Sequence, residues 1–432
     1  MQPTLATTTR HLQLDCYKIT DLMQPTILSF EDARRAVEQA AAQVHPPEAE
    51  RCELLLAGGR VLAESVLADR DFPPFARATR DGYAVRSGDV ASVPAHLKLV
   101  GEIRAGGPPQ ALDVKPGQAV EIMTGAPVPA GADAVVMVEY TSHAGDTVEF
   151  QRTVAAGENF VPAGAEAKRG EVLLYPGTRL TPAAIAVAGS CGRHQLRVYK
   201  RPRVAILSTG DELVDIAAEP TPNQIRNSNS YSLAAQVYAA GGVPAVLPIA
   251  PDEIERLRHL VQQGLSSDLL LLSGGVSVGK YDLVEQVLSS LGAEFFFTGA
   301  HIQPGRPVVF GRAPARPGAL PTYFFGLPGN PVSTMVCFDL FARLMVEALT
   351  GATPRRMTFT QTRLKSGVKV KTGLTRFLPA LLSGEYERGE VELVKWQGSG
   401  DMAATARANC YLVVPPDREM LAAGEMVSLL LI

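Results

Sequence analysis

Three short stretches hold residue types that could do chemistry together: SGGVSVGKYD at 273–282, STGDEL at 208–213 and LPGNPVS at 327–333. In the first, Gly274, Gly275 and Gly279 bare the backbone, so that its amides can approach an anion closely. The apolar run Leu269 to Ser273 precedes it, and a helical stripe of Leu283, Val284, Val287, Leu288 and Leu291 follows it. Strand, glycine loop and helix N-terminus make an anion-binding geometry; a tight βα turn with no ligand is the equal alternative. Glu212 and Asp282 add carboxylates and Ser333 a hydroxyl. That set suits a phosphorylated ligand with a divalent ion bridging phosphate and carboxylate. Each acid has a second explanation. Asp282, with Glu285 three residues on, could cap a helix; Glu212 could be a solvated loop charge; Asp252 sits in a D-x-x-E box, where a cap is commoner than a metal ligand. Arg306, between glycine and proline in QPGRP, could offer an oxyanion its fixed fork of donors, or be a surface arginine. Asp81, before a glycine in ATRDGYAV, fits a simple β-turn.

Other chemistries are excluded. The chain has no G-x-x-x-x-G-K-[ST] loop, no H-E-x-x-H and no Ser-His-Asp pattern, and its seven histidines, His194, His259 and His301 among them, lack metal-ligand spacing. A net charge of -3 argues against a general nucleic-acid binder. Cys16, Cys52, Cys191, Cys337 and Cys410 are scattered, never paired as CxxC, and read as thiols of a reducing cytoplasm. No apolar run approaches the roughly 20 residues of a membrane span, and residues 1–25 read as a flexible polar tail without the apolar core of a signal peptide.

The elements that must position these loops come in blocks. With 432 residues the chain is too long for one core. Ser29 reads as the N-cap of a helix to about residue 43, with Ala33, Val37, Ala40 and Ala41 on its apolar stripe. A short strand is expected near 60–66. From 71 to 159 short β-like runs such as QAVEIMTG and DAVVMVE suggest a β-rich insertion. A helix led by Thr181 and Pro182 implies that the region 26–70 resumes at 160–200. From 201 to 352 strands alternate with helices, among them a helix ended by Gly241 and one opened by an Asp252–Glu255 capping box. Such alternation implies a doubly wound α/β layer with a mostly parallel sheet, whose ligands lie at the carboxyl ends of its strands. Asn330 and Pro331 suit the N-cap and first residue of a further helix. A small β unit fills 353–432.

At this point a resemblance becomes close. RDGYAV at 80–85, EIMTGAPVPAGADAVVMVE at 121–139, GENFVPAGAEAKRGE at 157–171, STGDEL, IRNSNSY at 225–231, SGGVSVGKYD, QPGRP at 303–307 and LPGNPVS stand in the order found in the molybdopterin molybdenumtransferase family. That family includes the C-terminal domain of gephyrin, and the match runs from about residue 25 nearly to the end. The resemblance implies a multidomain α/β plus β fold. Its parts would be a split N-terminal linker domain, the β-rich insertion, a doubly wound α/β domain like the molybdopterin adenylyltransferases, and a C-terminal β-barrel-like domain. It implies a cytoplasmic homodimer that takes adenylylated molybdopterin and molybdate, inserts molybdenum and releases AMP with Mg2+ assisting. A molybdopterin adenylyltransferase would be the upstream donor, with neither nucleic acid nor membrane as partner. Each active site would lie between the α/β domain of one subunit and the β-rich insertion of the other.

Carried over by motif, Asp81, Glu212, Asp252 and Asp282 become the functional acids, the last three as candidates for magnesium. Thr209, Gly210, Ser273, Gly274, Gly275, Ser277, Gly279, Pro304, Gly305, Pro328, Gly329 and Asn330 would line the pterin and phosphate. Arg306, Pro307, Ser333, Arg376 and Ser399 would sit near molybdate. Three departures stand out. Gln303 replaces a frequent lysine and removes a positive charge; Glu166 is one methylene longer than the frequent aspartate; Lys280 adds a positive charge beside the anion site. Two other readings remain: a bare adenylyltransferase, for which the β-rich units have no purpose, and a non-catalytic scaffold like gephyrin, against which the retained acids argue.

Overall fold

Ser29 opens the first helix, α1 (Phe30–Ala41), by accepting the Asp32 amide at 3.0 Å, and Ala33, Val37, Ala40 and Ala41 are buried as the spacing requires. The structure, a computed structural model, describes residues 26–107, 112–275, 283–315, 320–354 and 357–432; the expected tail at 1–25 lies outside them. The chain divides into two units: Met1–Val44 with Pro202–Glu347 and Arg355–Ile432, and His45–Arg201 with Ala348–Pro354. No described helix is long and apolar enough to cross a membrane.

The first unit is built on an α/β layer. In chain order it holds β1 (Arg203–Ser208), α2 (Asn229–Ala240), β2 (Val243–Val246), α3 (Ile254–Gly264), β3 (Leu269–Ser273), α4 (Leu283–Ser290), β4 (Glu294–Phe297), β5 (Val309–Ala313) and β6 (Thr322–Leu327). The strands lie in the order β2-β1-β3-β6-β5-β4. The first four are parallel, whereas β5 runs antiparallel to both of its neighbours, β6 and β4. The sheet is therefore mixed, with the parallel pairing confined to the half that carries the three loops. Between β5 and β6 the chain is too short for the crossover that a parallel pair needs, so the two form a hairpin-like pair. Every residue of β3 is buried, as expected for a strand covered on both faces.

After β6, α5 (Pro331–Cys337) continues through a fully buried π-helical turn, Phe338–Ala342, into a helix at Arg343–Leu349. Next come β7 (Phe359–Leu364), β8 (Thr375–Ser383), β9 (Glu390–Leu393), β10 (Cys410–Val414) and β11 (Met426–Leu431). They pair in the order β8-β9-β7-β11-β10, and β10 pairs back onto β8, which closes a five-stranded barrel. Leu364, Leu378, Val391, Leu412 and Leu429 fill it. A two-residue strand, Ile302–Gln303, adds to β8 in parallel, opposite Thr375 and Arg376.

In the second unit a six-stranded sheet runs in the order Ala134–Met137, Gly82–Val85, Gln118–Ile122, Ala95–Ile103, Thr147–Phe150, Thr141–Ala144. Tyr83 meets Phe150 edge-on in its core at 5.8 Å. Ala49–Glu53 pairs antiparallel with Gln195–Tyr199, and Val66–Leu67 with Val172–Leu174. The helix Pro182–Ser190 is capped by Thr181, whose hydroxyl accepts from the Ala184 amide at 3.3 Å. The strand expected near 60–66 reduces to bridges at Val61 and Leu62 and the pair Val66–Leu67.

Candidate functional site

A cleft of about 780 Å³ opens at the carboxyl ends of β1, β3 and β6, where a parallel layer offers its ligand site. Thr209, Gly210 and Glu212 line it from the loop after β1, and Asp252 from the loop after β2. Ser273, Gly274 and Gly275 follow β3, and Pro328, Gly329, Asn330 and Pro331 follow β6. The three loops singled out in the sequence therefore share one cavity.

Its carboxylate side is held by a short relay. The Thr209 hydroxyl donates to Asp252 Oδ1 at 3.0 Å, and the Asp252 amide donates to Asp211 Oδ1 at 3.1 Å. The expected Asp252–Glu255 capping box is absent: α3 begins at Ile254, Glu253 holds the N-cap position, and no side chain caps it. Thr209 and Asp211 engage Asp252 instead, and so keep its carboxylate at the cleft. The Glu212 carboxylate folds over Gly210, where any Cβ would collide with it. Neither Glu212 nor Asp252 is ion-paired to a described Lys or Arg.

Gly274 sets the floor. Its φ is +90°, and a Cβ there would lie 2.5 Å from the Thr209 carbonyl oxygen, so only glycine fits without displacement. Its amide donates to the Leu327 carbonyl at 3.2 Å, which ties the β3 loop to the end of β6. Ser277, Gly279, Lys280 and Asp282 lie outside the described residues. Asn330 and Pro331 do occupy the N-cap and first positions of α5, but the Asn330 side chain makes no cap bond.

The segment before α2 contributes residues to which the sequence reading gave no role. Arg226, Ser228 and Asn229 line the cleft. Beneath them, buried Ser208, Asn227 and Ser230 bond one another, with the Ser208 hydroxyl 3.1 Å from Asn227 Oδ1 and 3.0 Å from the Ser230 hydroxyl. Asn229 Nδ2 donates to Ser273 Oγ at 2.8 Å and to the Gly329 carbonyl at 2.7 Å. The available signal was RNSNS itself, two asparagines at the start of a helix and too polar for a plain helix start.

Of QPGRP, only Pro307 lines the cleft among the described residues. Arg306 and Gln303 are exposed, while Pro304 and Gly305 are buried and the Cys337 thiol donates to the Gly305 carbonyl at 3.4 Å. Arg376, in register with Gln303, is buried and donates to the Leu374 carbonyl at 3.2 Å; desolvation pulls its pKa down from the usual arginine value. Ser333 is buried on α5, and the Ser399 carbonyl accepts from the neighbouring Val332 amide at 3.0 Å. Asp81 stands in the second unit. It accepts the Thr124 amide at 2.6 Å, a bond that holds its exposed carboxyl below the usual range. Glu166, also there, forms an exposed ion pair with Arg77 at 3.3 Å. Among the described residues no three of His, Cys, Asp and Glu gather closely enough to hold a metal ion.

Residues 28–192 match the MoeA N-terminal region (domain I and II), 205–348 a probable molybdopterin binding domain, and 361–432 the MoeA C-terminal region (domain IV). A Nostoc sp. protein named molybdopterin molybdenumtransferase is 36% identical over 393 residues, covering 89% of this chain and 88% of that protein. A Bacillus subtilis protein of the same name is 33% identical, covering 86% and 87%. The crystal structure of a molybdopterin biosynthesis moeA protein from Pyrococcus horikoshii superposes with a TM-score of 0.73 at 28% identity, covering 94% of this chain and all of that one.

Proposed function

The chain belongs to the molybdopterin molybdenumtransferase family, and from that membership we propose that its cleft binds adenylylated molybdopterin, accepts molybdate and releases AMP as molybdenum enters the dithiolene. It is a transferase of molybdenum cofactor biosynthesis. The observation that carries the reading is the cleft itself, where two carboxylates without ion-pair partners among the described residues, Glu212 and Asp252, stand beside the glycine backbone at 274–275 within the stretch that matches a molybdopterin binding domain.

Bare backbone at Gly274 and Gly275 suits the close approach of a phosphate. Glu212 and Asp252 fit magnesium, which usually takes one or two carboxylates together with substrate phosphates, and Asp282 is a candidate third ligand. Bound there, the ion would neutralise charge on the phosphoanhydride oxygens. The Thr209 hydroxyl orients the Asp252 carboxylate toward that role. Molybdate, as substrate, would be met by Arg306, Arg376, Pro307, Ser333 and Ser399, where fixed guanidinium donors suit an oxyanion. We assign Asp81 a role in a homodimer, each cleft being completed by the Asp81-bearing sheet of a second copy. The domain boundaries proposed are 26–70 with 160–200, 71–159, 201–352 and 353–432, and the compartment is the cytoplasm.

The test is AMP release from adenylylated molybdopterin with magnesium, with and without molybdate. Molybdate-dependent release that yields active molybdenum cofactor is the expected result. Tight binding without release would reject the transferase chemistry and favour the scaffold reading; pyrophosphate release from ATP and molybdopterin would favour the adenylyltransferase.

A further inference from the structure

Asn229 carries an unused acceptor at the wall of the cleft. Both hydrogens of its Nδ2 are engaged, one by Ser273 Oγ at the end of β3 and one by the Gly329 carbonyl after β6. Its Oδ1 is buried and has no hydrogen-bond partner among the described residues. The amide cannot turn over to cure this, because a flip would set Oδ1 against the Gly329 carbonyl, acceptor against acceptor. Buried polar atoms are nearly always satisfied, and an unpaired acceptor on a residue that lines a ligand cavity is matched to a donor that the described residues do not supply.

We infer that Asn229 is a specificity-determining residue whose Oδ1 accepts a hydrogen bond from an N–H of the pterin half of the substrate. The assignment rests on the function proposed above. The strand order decides which half is meant. Asp252 and Glu212 follow β2 and β1, on one side of β3, whereas Gly329 follows β6 on the other. Asn229 spans β3 and β6, away from the carboxylates. On that same side α5 receives the Ser399 loop through the Val332 amide. The dithiolene must lie near the incoming molybdate, and the pterin is fused to the ring that bears the dithiolene. With the phosphoanhydride at the carboxylates, the pterin falls to Asn229. A pterin presents ring and exocyclic N–H donors, the complement of an amide oxygen.

The experiment measures equilibrium binding, under anaerobic conditions, of molybdopterin and of AMP separately to the wild type, Asn229→Ala and Asn229→Asp. Asn229→Ala is expected to weaken molybdopterin about three- to tenfold, the worth of one hydrogen bond, and to leave AMP within about twofold. Asn229→Asp keeps an acceptor oxygen but loses the bridge to Gly329. Its added charge opposes the phosphate of each ligand and also any charge on the dithiolene of molybdopterin, so the ratio of the two affinities is read at high salt, where that repulsion is screened and the acceptor is isolated. That ratio should stay near wild type in Asn229→Asp and fall in Asn229→Ala. Equal loss of both ligands in Asn229→Ala, or loss confined to AMP, overturns the assignment, as does no loss of either. A ratio that falls as far in Asn229→Asp overturns it too, leaving Asn229 a loop bridge only. Wild type that binds neither ligand would instead sink the function proposed above, and this assignment with it.

Discussion

Gly274→Ala separates the backbone requirement of the cleft from its chemistry. The substitution adds one methyl where φ is +90° and the Thr209 carbonyl oxygen lies 2.5 Å from the new carbon. Ordinary contact begins near 3.4 Å, so the loop after β1 or the loop after β3 must move by about 0.9 Å. Left-handed backbone costs an alanine about 1 to 2 kcal/mol, and overpacking adds about 1 to 3 kcal/mol. The stiffer unfolded chain returns about 0.4 to 1 kcal/mol. A net loss of about 1 to 5 kcal/mol corresponds to a fall in Tm on the order of 2 to 10 °C for a unit of this size. Thr209 also holds Asp252 through its hydroxyl, so the displacement reaches a proposed magnesium ligand. Misplacement on that scale lowers kcat/KM for AMP release by about 10- to 100-fold. Gly373→Ala is the control: Gly373 has φ +98° in the same unit, with open space around its missing Cβ. It should cost only the backbone part, about 1 kcal/mol, with AMP release unchanged. Scanning calorimetry and nucleotide chromatography read both quantities. If Gly274→Ala matched Gly373→Ala in Tm and turnover, the close approach of the two loops would not matter.

Gln303→Lys should lower the molybdate concentration giving half-maximal AMP release, with the gain shrinking as salt rises; a salt-independent gain, or none, would argue that residue 303 does not sense the oxyanion. Asp81→Ala and Asp252→Ala should each be folded and inactive alone, and mixing them after dissociation should restore AMP release; no recovery in mixed dimers would reject a site shared between copies. Asp339 is buried in the π turn, where desolvation pushes its carboxyl up and Arg343, 2.6 Å away, only partly offsets the rise. The folded state thus keeps this proton to higher pH than the unfolded chain does. The carboxyl's stabilising share is full below its ordinary pKa of about 4 and is lost as pH rises through the folded value. The Tm of wild type relative to Asp339→Asn should therefore fall from about pH 4 upward, and a difference that is flat or rising would contradict the assignment.

The sequence was most legible where a signal is local. Ser29 and Thr181 cap their helices as their chemistry dictates, and the apolar run at 269–273 is a fully buried strand. It misled where a local signal competed with a distant partner. Asp252 has capping-box spacing, but Thr209, far off in the chain, takes its carboxylate. The antiparallel β5 and β6 were legible in principle from the short connection between them, which outweighs the alternation of the preceding elements. Ile302–Gln303 joining the barrel depends on a pairing with Thr375–Arg376 that no local pattern encodes. Asn229 is the hardest case. Its identity as an N-terminal helix residue is visible, but the vacancy at Oδ1 exists only once Ser273 and Gly329 have claimed its hydrogens.

The antiparallel ribbon of Ala49–Glu53 with Gln195–Tyr199 has a consequence for how the chain is assembled. Ala49 lies opposite Tyr199, so the polypeptide leaves for its long excursion and comes back at nearly the same point. To α1 and β1 on either side, the whole of 49–199 is then a closed loop whose ends are already joined. Its closure entropy, which grows only logarithmically with length, is met by the second unit's own sheet pairing, and the α/β layer does not bear it. Residues could be gained or lost anywhere between the two ribbon strands without changing the separation that the rest of the chain must bridge.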